Sequence, residues 1–595
     1  MKKTIYIGLL LTSLSLTGCS DSFFEKVPEG SLDKSKIDDR LLESYRTSIY
    51  QYVGTSMPGY SGIFLDGYAD NGYSRNSWDS NGAAVQSNTL DANLDFGYSY
   101  DYNGIRTCNR LIAEVDNFEN VSADLRAKYK NEARVMRAWI YMDLTLVFGD
   151  VALVTTPEND FPDGLSRTAA KDVRMWILDE LDEAIAGLPE SNDKGRFNKI
   201  TASALKARAA YYFGDYSAAE KAARYVIDNG GYKLHKATAL TDDMKKDGEF
   251  FKKLVDFSAN GIDENTFLQG IFNYQDIWKA DNSPETIIAK EYEASEDYGS
   301  YERVTCLMSP NMVKKQAWAT IVPIQQLVDA YWTVDGKTRP SLPSVEQRIE
   351  AYKALSESID QKMSTSKKTF AEVVGSEINN VVSDSYMSQY RNRNTRLYAS
   401  ITFPFSAINR FLDGSYQQYI PDIANYGRSG FVFRKMAGAD DVISGWGDGY
   451  FITGVDFPVI RLAEMLLIYA ESHTQTTGYD ASVTTELNKL RERAGMPDVP
   501  SGLGKNAALD FIRAERRIEL AGEGLRFFDV RLYEDDTRNG GYKGNQAASA
   551  VMNGRIMDVV GNPGAALTWS SRLMYMPIPT TSLDKNKDLT QNEGY

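Results

Sequence analysis

Three glutamates spaced by four, Glu515, Glu519 and Glu523, stand in the stretch ERRIELAGEGLRFFDVRLY beside four arginines and an aromatic pair. On a helix this step puts the side chains on one face, and gathered carboxylates are the raw material of acid–base and glycosidase chemistry. The neighbours argue for a different role. Gly522 and Gly524 break the helix just after Glu519 and around Glu523, Arg516 reaches Glu519 at i+3, and Arg526 and Arg531 flank Asp529. A helix end whose charges neutralise one another and whose rings pin it reads as scaffold. The remaining inventory for catalysis is thin. His235 and His473 are the only histidines, which nearly excludes metal sites and triads that need imidazole. DSNG at 79–82 begins like a calcium loop, but Asn88 stands where the final acid belongs, so that pattern fails. No catalytic residue, metal or cofactor is expected.

The net charge is −15 without any basic run, so nucleic acid is repelled rather than steered in. With 43% hydrophobic and 12% aromatic residues the chain can build a large core. Its 36 tyrosines against 25 phenylalanines favour rings with one polar edge, suited to wet surfaces.

The chain begins Met1-Lys2-Lys3, followed by the mostly apolar IYIGLLLTSLSL at 5–16, too short to span a bilayer stably. Leu16-Thr17-Gly18-Cys19 resembles the bacterial lipobox, whose cysteine is acylated before cleavage. The expected organisation is therefore a lipoprotein signal peptide at 1–18, a lipid anchor on Cys19 with a tether to residue 40, and a body at 41–595. No later stretch approaches eighteen apolar residues. Cys108 and Cys306 are then left as two thiols that an oxidising envelope permits to pair but no spacing requires to.

The elements that must position any site are mostly helical. LLESYRTSIYQYV at 41–53 reads as a helix, whereas Gly, Asn, Asp, Ser and aromatics dominate 54–104. RVMRAWIYMDLTLVFGD (134–150) and LKARAAYYFGDYSAAEKAARYVIDNG (205–230) each carry an Ala/Arg/aromatic helix closing in Phe-Gly-Asp. The two phenylalanines, Phe148 and Phe213, lie about two tetratricopeptide periods apart. Between them DVRMWILDELDEAIAGLP places Val173, Ile177, Leu178, Leu181 and Ile185 on one stripe. A helix-pair scaffold is expected at about 105–230 and again at about 458–530, where Val459, Leu462, Ala463, Leu466 and Ala470 keep helical spacing. The pattern weakens over 231–450, apart from amphipathic PIQQLVDAYW and the polar helix SVEQRIEAYKALSESIDQK; segments 54–104 and 231–450 are expected to be loop-rich excursions.

An ordered set of motifs gives the chain a family likeness. The lipobox, the Phe-Gly-Asp helix ends, PIQQLVDAYWTVDGKTRP, RNRNTRLYASI, FPVIRLAEMLLIYAES, LNKLRERAG, ERRIELAGEGLRFFDVRLY and the ending MPIPTTSLDKNKDLTQNEGY resemble the SusD/RagB family of Bacteroidetes outer-membrane lipoproteins. The likeness implies a mostly α fold, tetratricopeptide-like helix pairs stacked in an α–α superhelix, with an irregular loop-rich half facing ligand. It implies a non-enzymatic protein on the outer face of the outer membrane that captures glycan for a SusC-like TonB-dependent transporter. The same architecture could serve peptide or another nutrient, and a carboxylate-pair glycosidase is the competing enzymatic reading. The glutamate-rich helix end has transporter contact as its second role.

Sugars offer C–H faces that lie on aromatic rings and hydroxyls that need planar donors and acceptors. Loops on a rigid frame that interleave both are the candidate site. The first such region is 66–81, with Asp66, Tyr68, Asp70, Asn71, Tyr73, Arg75, Asn76, Trp78, Asp79 and Asn81. The second is 273–303, with Asn273, Tyr274, Trp278, Tyr292, Tyr298, Tyr301 and Arg303, and Trp318 stands alone. From these, Asp66, Asp70, Asn71, Tyr73, Arg75, Trp78, Tyr274, Trp278, Tyr298, Tyr301 and Trp318 are taken as ligand-binding.

Overall fold

Polar residues ahead of apolar stripes start the helices, as capping chemistry requires. Ser122 accepts from the Leu125 amide to open one helix, Asn198 and Thr201 form a reciprocal capping box on another, and Asp215 accepts from Ala218 on a third. The computed structural model describes residues 37–52, 62–74, 82–157, 164–240, 242–278, 283–293, 308, 319–411, 415–418, 429–436, 442–445, 450–535, 541–555 and 566–595. The expected signal peptide and Cys19 lie outside these residues.

The fold is mostly α. Helix α1 spans Asp39–Tyr50, α2 Tyr98–Glu114, α3 Ala123–Phe148, α4 Ala170–Gly187, α5 Lys199–Tyr212 and α6 Tyr216–Asn229. From α2 onward, each packs against the next in sequence. Both Phe-Gly-Asp motifs terminate helices, because Gly149 and Gly214 each take φ +76, a left-handed conformation that favours glycine. Alanines let α5 and α6 meet closely: Ala207, Ala209, Ala210, Ala219 and Ala223 are wholly buried. On α4, Val173, Ile177 and Leu181 form the buried stripe and Leu178 and Ile185 flank it half-buried.

The chain then leaves the stack for more than two hundred residues. This excursion is less irregular than its composition suggests, for it contains α7 (Glu264–Asp276) and α8 (Val345–Ser366). It returns through α9 (Leu462–Thr476), which packs directly on α6 and extends the stack with α10 (Ala481–Arg493), α11 (Lys505–Glu519) and α12 (Arg526–Asp535). Val459 does not join the α9 face as its spacing suggests; it sits in a strand that runs straight into the helix. Gly270 on α7 makes a close crossing possible, since a β-carbon there would stand 2.2 Å from the Ala494 carbonyl oxygen.

Among the described residues every sheet is a two-stranded antiparallel ribbon. Four strands matter for the sites below. β1 (Gly72–Ser74) pairs with β3 (Ile321–Pro323), and β2 (Thr286–Lys290) pairs with β4 (Phe457–Arg461).

Of the two thiols left open to pairing, Cys108 is free and wholly buried, and burial pushes it up to about 12. Cys306 lies outside the described residues. His473 fastens three helices: Nδ1 lies 2.7 Å from Glu220 of α6, and Nε2 lies 3.2 Å from Asp480, which caps α10. Burial works against the imidazolium, but these two carboxylates outweigh it and hold His473 above its ordinary range. A raised folded-state value contributes stability that is complete below the unfolded value of about 6.5 and is lost as pH climbs through the folded one. His473→Gln should therefore lower the melting temperature more at about pH 5.5 than at about pH 8.5. Equal losses at both would dismiss the charge effect.

Candidate ligand-binding surface

The foundation of the surface is the glutamate-rich helix end. Glu515 and Glu519 ride on α11, at 1% and 0% exposure, and neither is left to do chemistry. The Glu515 carboxylate accepts from Arg396 at 2.8 Å, Arg491 at 2.6 Å and the Trp332 indole at 2.5 Å. Glu519 accepts from Arg461 at 2.8 Å, Arg396 at 3.1 Å and Arg493. Glu523 accepts from Arg461 at 2.8 Å and from Lys435. Burial alone would raise the Glu519 carboxyl, yet the three guanidiniums hold it far below the usual range. A general acid needs a carboxyl that titrates near working pH and meets substrate; Glu519 does neither. The expected Arg516–Glu519 pair is replaced by a longer reach, because Arg516 binds Asp529 at 2.9 Å and the Tyr212 hydroxyl at 2.8 Å.

Two further arginines of the same stretch hold the first candidate region. Arg517 donates to the Asn71 side chain at 2.8 Å and pairs with Asp70 at 2.8 Å, while Arg526 donates to Asp70 at 2.7 Å. The Gly524 amide donates to Asp66 at 3.2 Å, and burial pushes that carboxyl up to about 7. Asp66, Asp70 and Asn71 are 0–1% exposed. They are thus corrected from ligand contacts to anchors, because they are buried and their hydrogen bonds hold this segment against α11 and the turn after it. Tyr68 is buried as well, edge-on to Phe96 and Phe527.

Two aromatics of the second region are corrected in the same way. Tyr274 faces inward from α7, is wholly buried and donates its hydroxyl to the Glu519 carbonyl. Trp278 packs on Phe457 at 5.7 Å with the Lys435 ammonium 4.9 Å from its ring centre. These rings line the core beside the ion network. Asn273 is likewise spent within the fold, donating to the Arg493 carbonyl at 3.0 Å.

The anchored segment runs directly into β1. Tyr73 is half-buried there against Ile324 and Leu567 and lies opposite Val322 of β3. The last pair of this ribbon is Ser74 with Ile321. Trp78 is four residues past Ser74 and Trp318 three residues before Ile321. Arg75, Asn76, Trp78, Asp79, Asn81, Tyr298, Tyr301, Arg303 and Trp318 themselves lie outside the described residues. The sequence did not reveal that the first region pairs through β1 with residues 321–323.

Comparison with known proteins bears on the whole of this architecture. A family model described as SusD family matches residues 284–595, and one described as starch-binding associating with outer membrane matches residues 22–211. A SusD-like protein of Bacteroides ovatus is 27% identical over 305 residues, 49% of this chain and 50% of its own, so the chain spans about half the length of that curated relative. A solved SusD-like protein from Bacteroides fragilis superposes with a TM-score of 0.70 at 23% identity, over 96% of this chain and 100% of that one. A SusD-like carbohydrate binding protein from the same species gives 0.65 at 19% identity, over 93% and 99%. These two structural likenesses establish the fold.

Proposed function

Since the chain belongs to the SusD family, we propose that it is a surface glycan-binding lipoprotein, held on the outer face of the outer membrane by acyl chains on Cys19. It captures oligo- or polysaccharide at the end of the β1–β3 ribbon and delivers it to a SusC-like TonB-dependent transporter. The observation that carries this reading is the family match over 284–595, together with the rigid base that Arg517 and Arg526 give the Asp70–Asn71 segment ahead of Trp78 in sequence. The indoles of Trp78 and Trp318 suit sugar rings, which need flat apolar faces. Arg75, Tyr298 and Tyr301 are the proposed guanidinium and hydroxyl partners.

Two likenesses support the ligand class and the location. One solved relative is described as carbohydrate binding, and the family model over 22–211 is described as associating with the outer membrane. Capture without cleavage is consistent with the burial of the glutamate row. The test is a screen of the purified chain against plant, fungal and host polysaccharides. Retarded migration in at least one glycan gel, without release of reducing ends, is the expected result. Binding confined to peptides, or liberation of sugar from a bound polysaccharide, would replace this reading.

A further inference from the structure

We propose a second and separate carbohydrate site, sized for one or two uncharged sugar rings, in the cavity between α1, the turn at 192–201 and β2. The cavity measures about 310 Å³ and shares no lining residue with the β1–β3 ribbon. That volume stands at the lower end of the range for small-molecule pockets. Its apolar wall is the Ile287–Ile288 stretch of β2 together with the Tyr232 ring, a surface on which C–H faces can lie.

The polar lining defines the ligand class. Ser283, 6% exposed, places its Oγ 3.2 Å from Nδ1 of His235, whose Nε2 lies 2.8 Å from Asp276. With the Nε2 proton assigned to the Asp276 carboxylate, Nδ1 is an acceptor. The Ser283 hydroxyl then donates to it and keeps acceptor capacity for a ligand. Asp193 and Glu291 also line the cavity and make no ion pair among the described residues. Glu291 lies across Gly195, where a β-carbon would stand 2.5 Å from its carboxylate. The cations are already committed: Lys194 binds Asp456 at 2.8 Å, and Arg196 lies over the Tyr50 ring at 4.4 Å. Free acceptors therefore outnumber free cations. A hydroxyl-rich, uncharged ligand satisfies them, whereas a uronate or sulfated sugar meets two unneutralised carboxylates.

The test uses the mature chain and saturation-transfer NMR with titration calorimetry. Glucose and cellobiose serve as neutral probes and glucuronate as the anionic one. At least one neutral probe should bind, glucuronate should not, and the Trp78→Ala/Trp318→Ala double variant should bind that probe as the parent does. Loss of the exposed carboxylate in Glu291→Ala should weaken binding by about tenfold, and Ala289→Leu, which fills the cavity, should abolish it. Melting temperatures identify a variant that has lost its fold, and Glu291→Ala then decides alone. The proposal is overturned if neither neutral probe binds, if glucuronate binds equally well, or if Glu291→Ala retains full affinity. It is also overturned if the tryptophan pair abolishes small-sugar binding, since the probe would then occupy the loop site. A failure here leaves polysaccharide capture at the ribbon end standing, because that is read in a different assay.

Discussion

Glu519→Ala should cost the fold about 3–5 kcal/mol, the penalty for stranding buried charge. Arg396, Arg461 and Arg493 are 0–1% exposed and all donate to this one carboxylate. Removing it leaves three guanidiniums facing one another where water cannot solvate them. Glu519→Gln should also be costly, since an amide keeps the shape but not the charge. An exposed pair such as Lys236–Glu492, with side chains 59% and 73% exposed, should contribute no more than about 1 kcal/mol. Urea unfolding of the mature chain measures both. A cost below about 1 kcal/mol for Glu519→Ala would mean that the network is structural ornament. The pH sign follows from the depressed carboxyl: its contribution is present above the unfolded glutamate value of about 4.3 and is lost as pH falls toward the folded one.

The second large effect concerns ligand. Trp78→Ala or Trp318→Ala should each weaken binding of the captured polysaccharide by at least 2 kcal/mol, roughly thirtyfold, as for a central aromatic anchor. If the two rings meet one sugar chain, their effects are coupled and a double-mutant cycle will not be additive. Neither position belongs to the ion network, so melting temperatures should barely move. Asp70→Ala should behave in the opposite way, because it strands Arg517 and Arg526 and so attacks stability first. Unchanged affinity in both tryptophan variants would move the binding face elsewhere.

Much of the fold was legible because its signals are local. A Ser or Asp cap, a buried stripe and a terminal glycine all fall within one helix, and the Phe-Gly-Asp repeats mark helix ends without reference to anything distant. The ordered motifs supplied the family. The candidate site was legible only by region. Composition cannot distinguish a tyrosine on a loop from Tyr274 on the inward face of a helix, nor an aspartate awaiting sugar from Asp70, whose partner Arg526 lies 456 residues away. The clue was present in the scaffold stretch: Arg517 had no acid assigned to it, so an acid had to come from elsewhere in the chain. The cavity left no trace in sequence, since Ser283, Asp193 and Tyr232 meet only through tertiary packing.

The bonds from Arg517 and Arg526 to Asp70 also set a timetable for a chain made from one end to the other. Asp70, near the start, meets these two cations only near the finish, so its contacts must close across almost the entire polymer, the slow kind of folding. While the ribosome is still working, Asp70 has neither Arg517 nor Arg526 to meet and stays hydrated. The body cannot lock into shape ahead of its own completion. For a chain exported as proposed above, that delay keeps it in a transportable state.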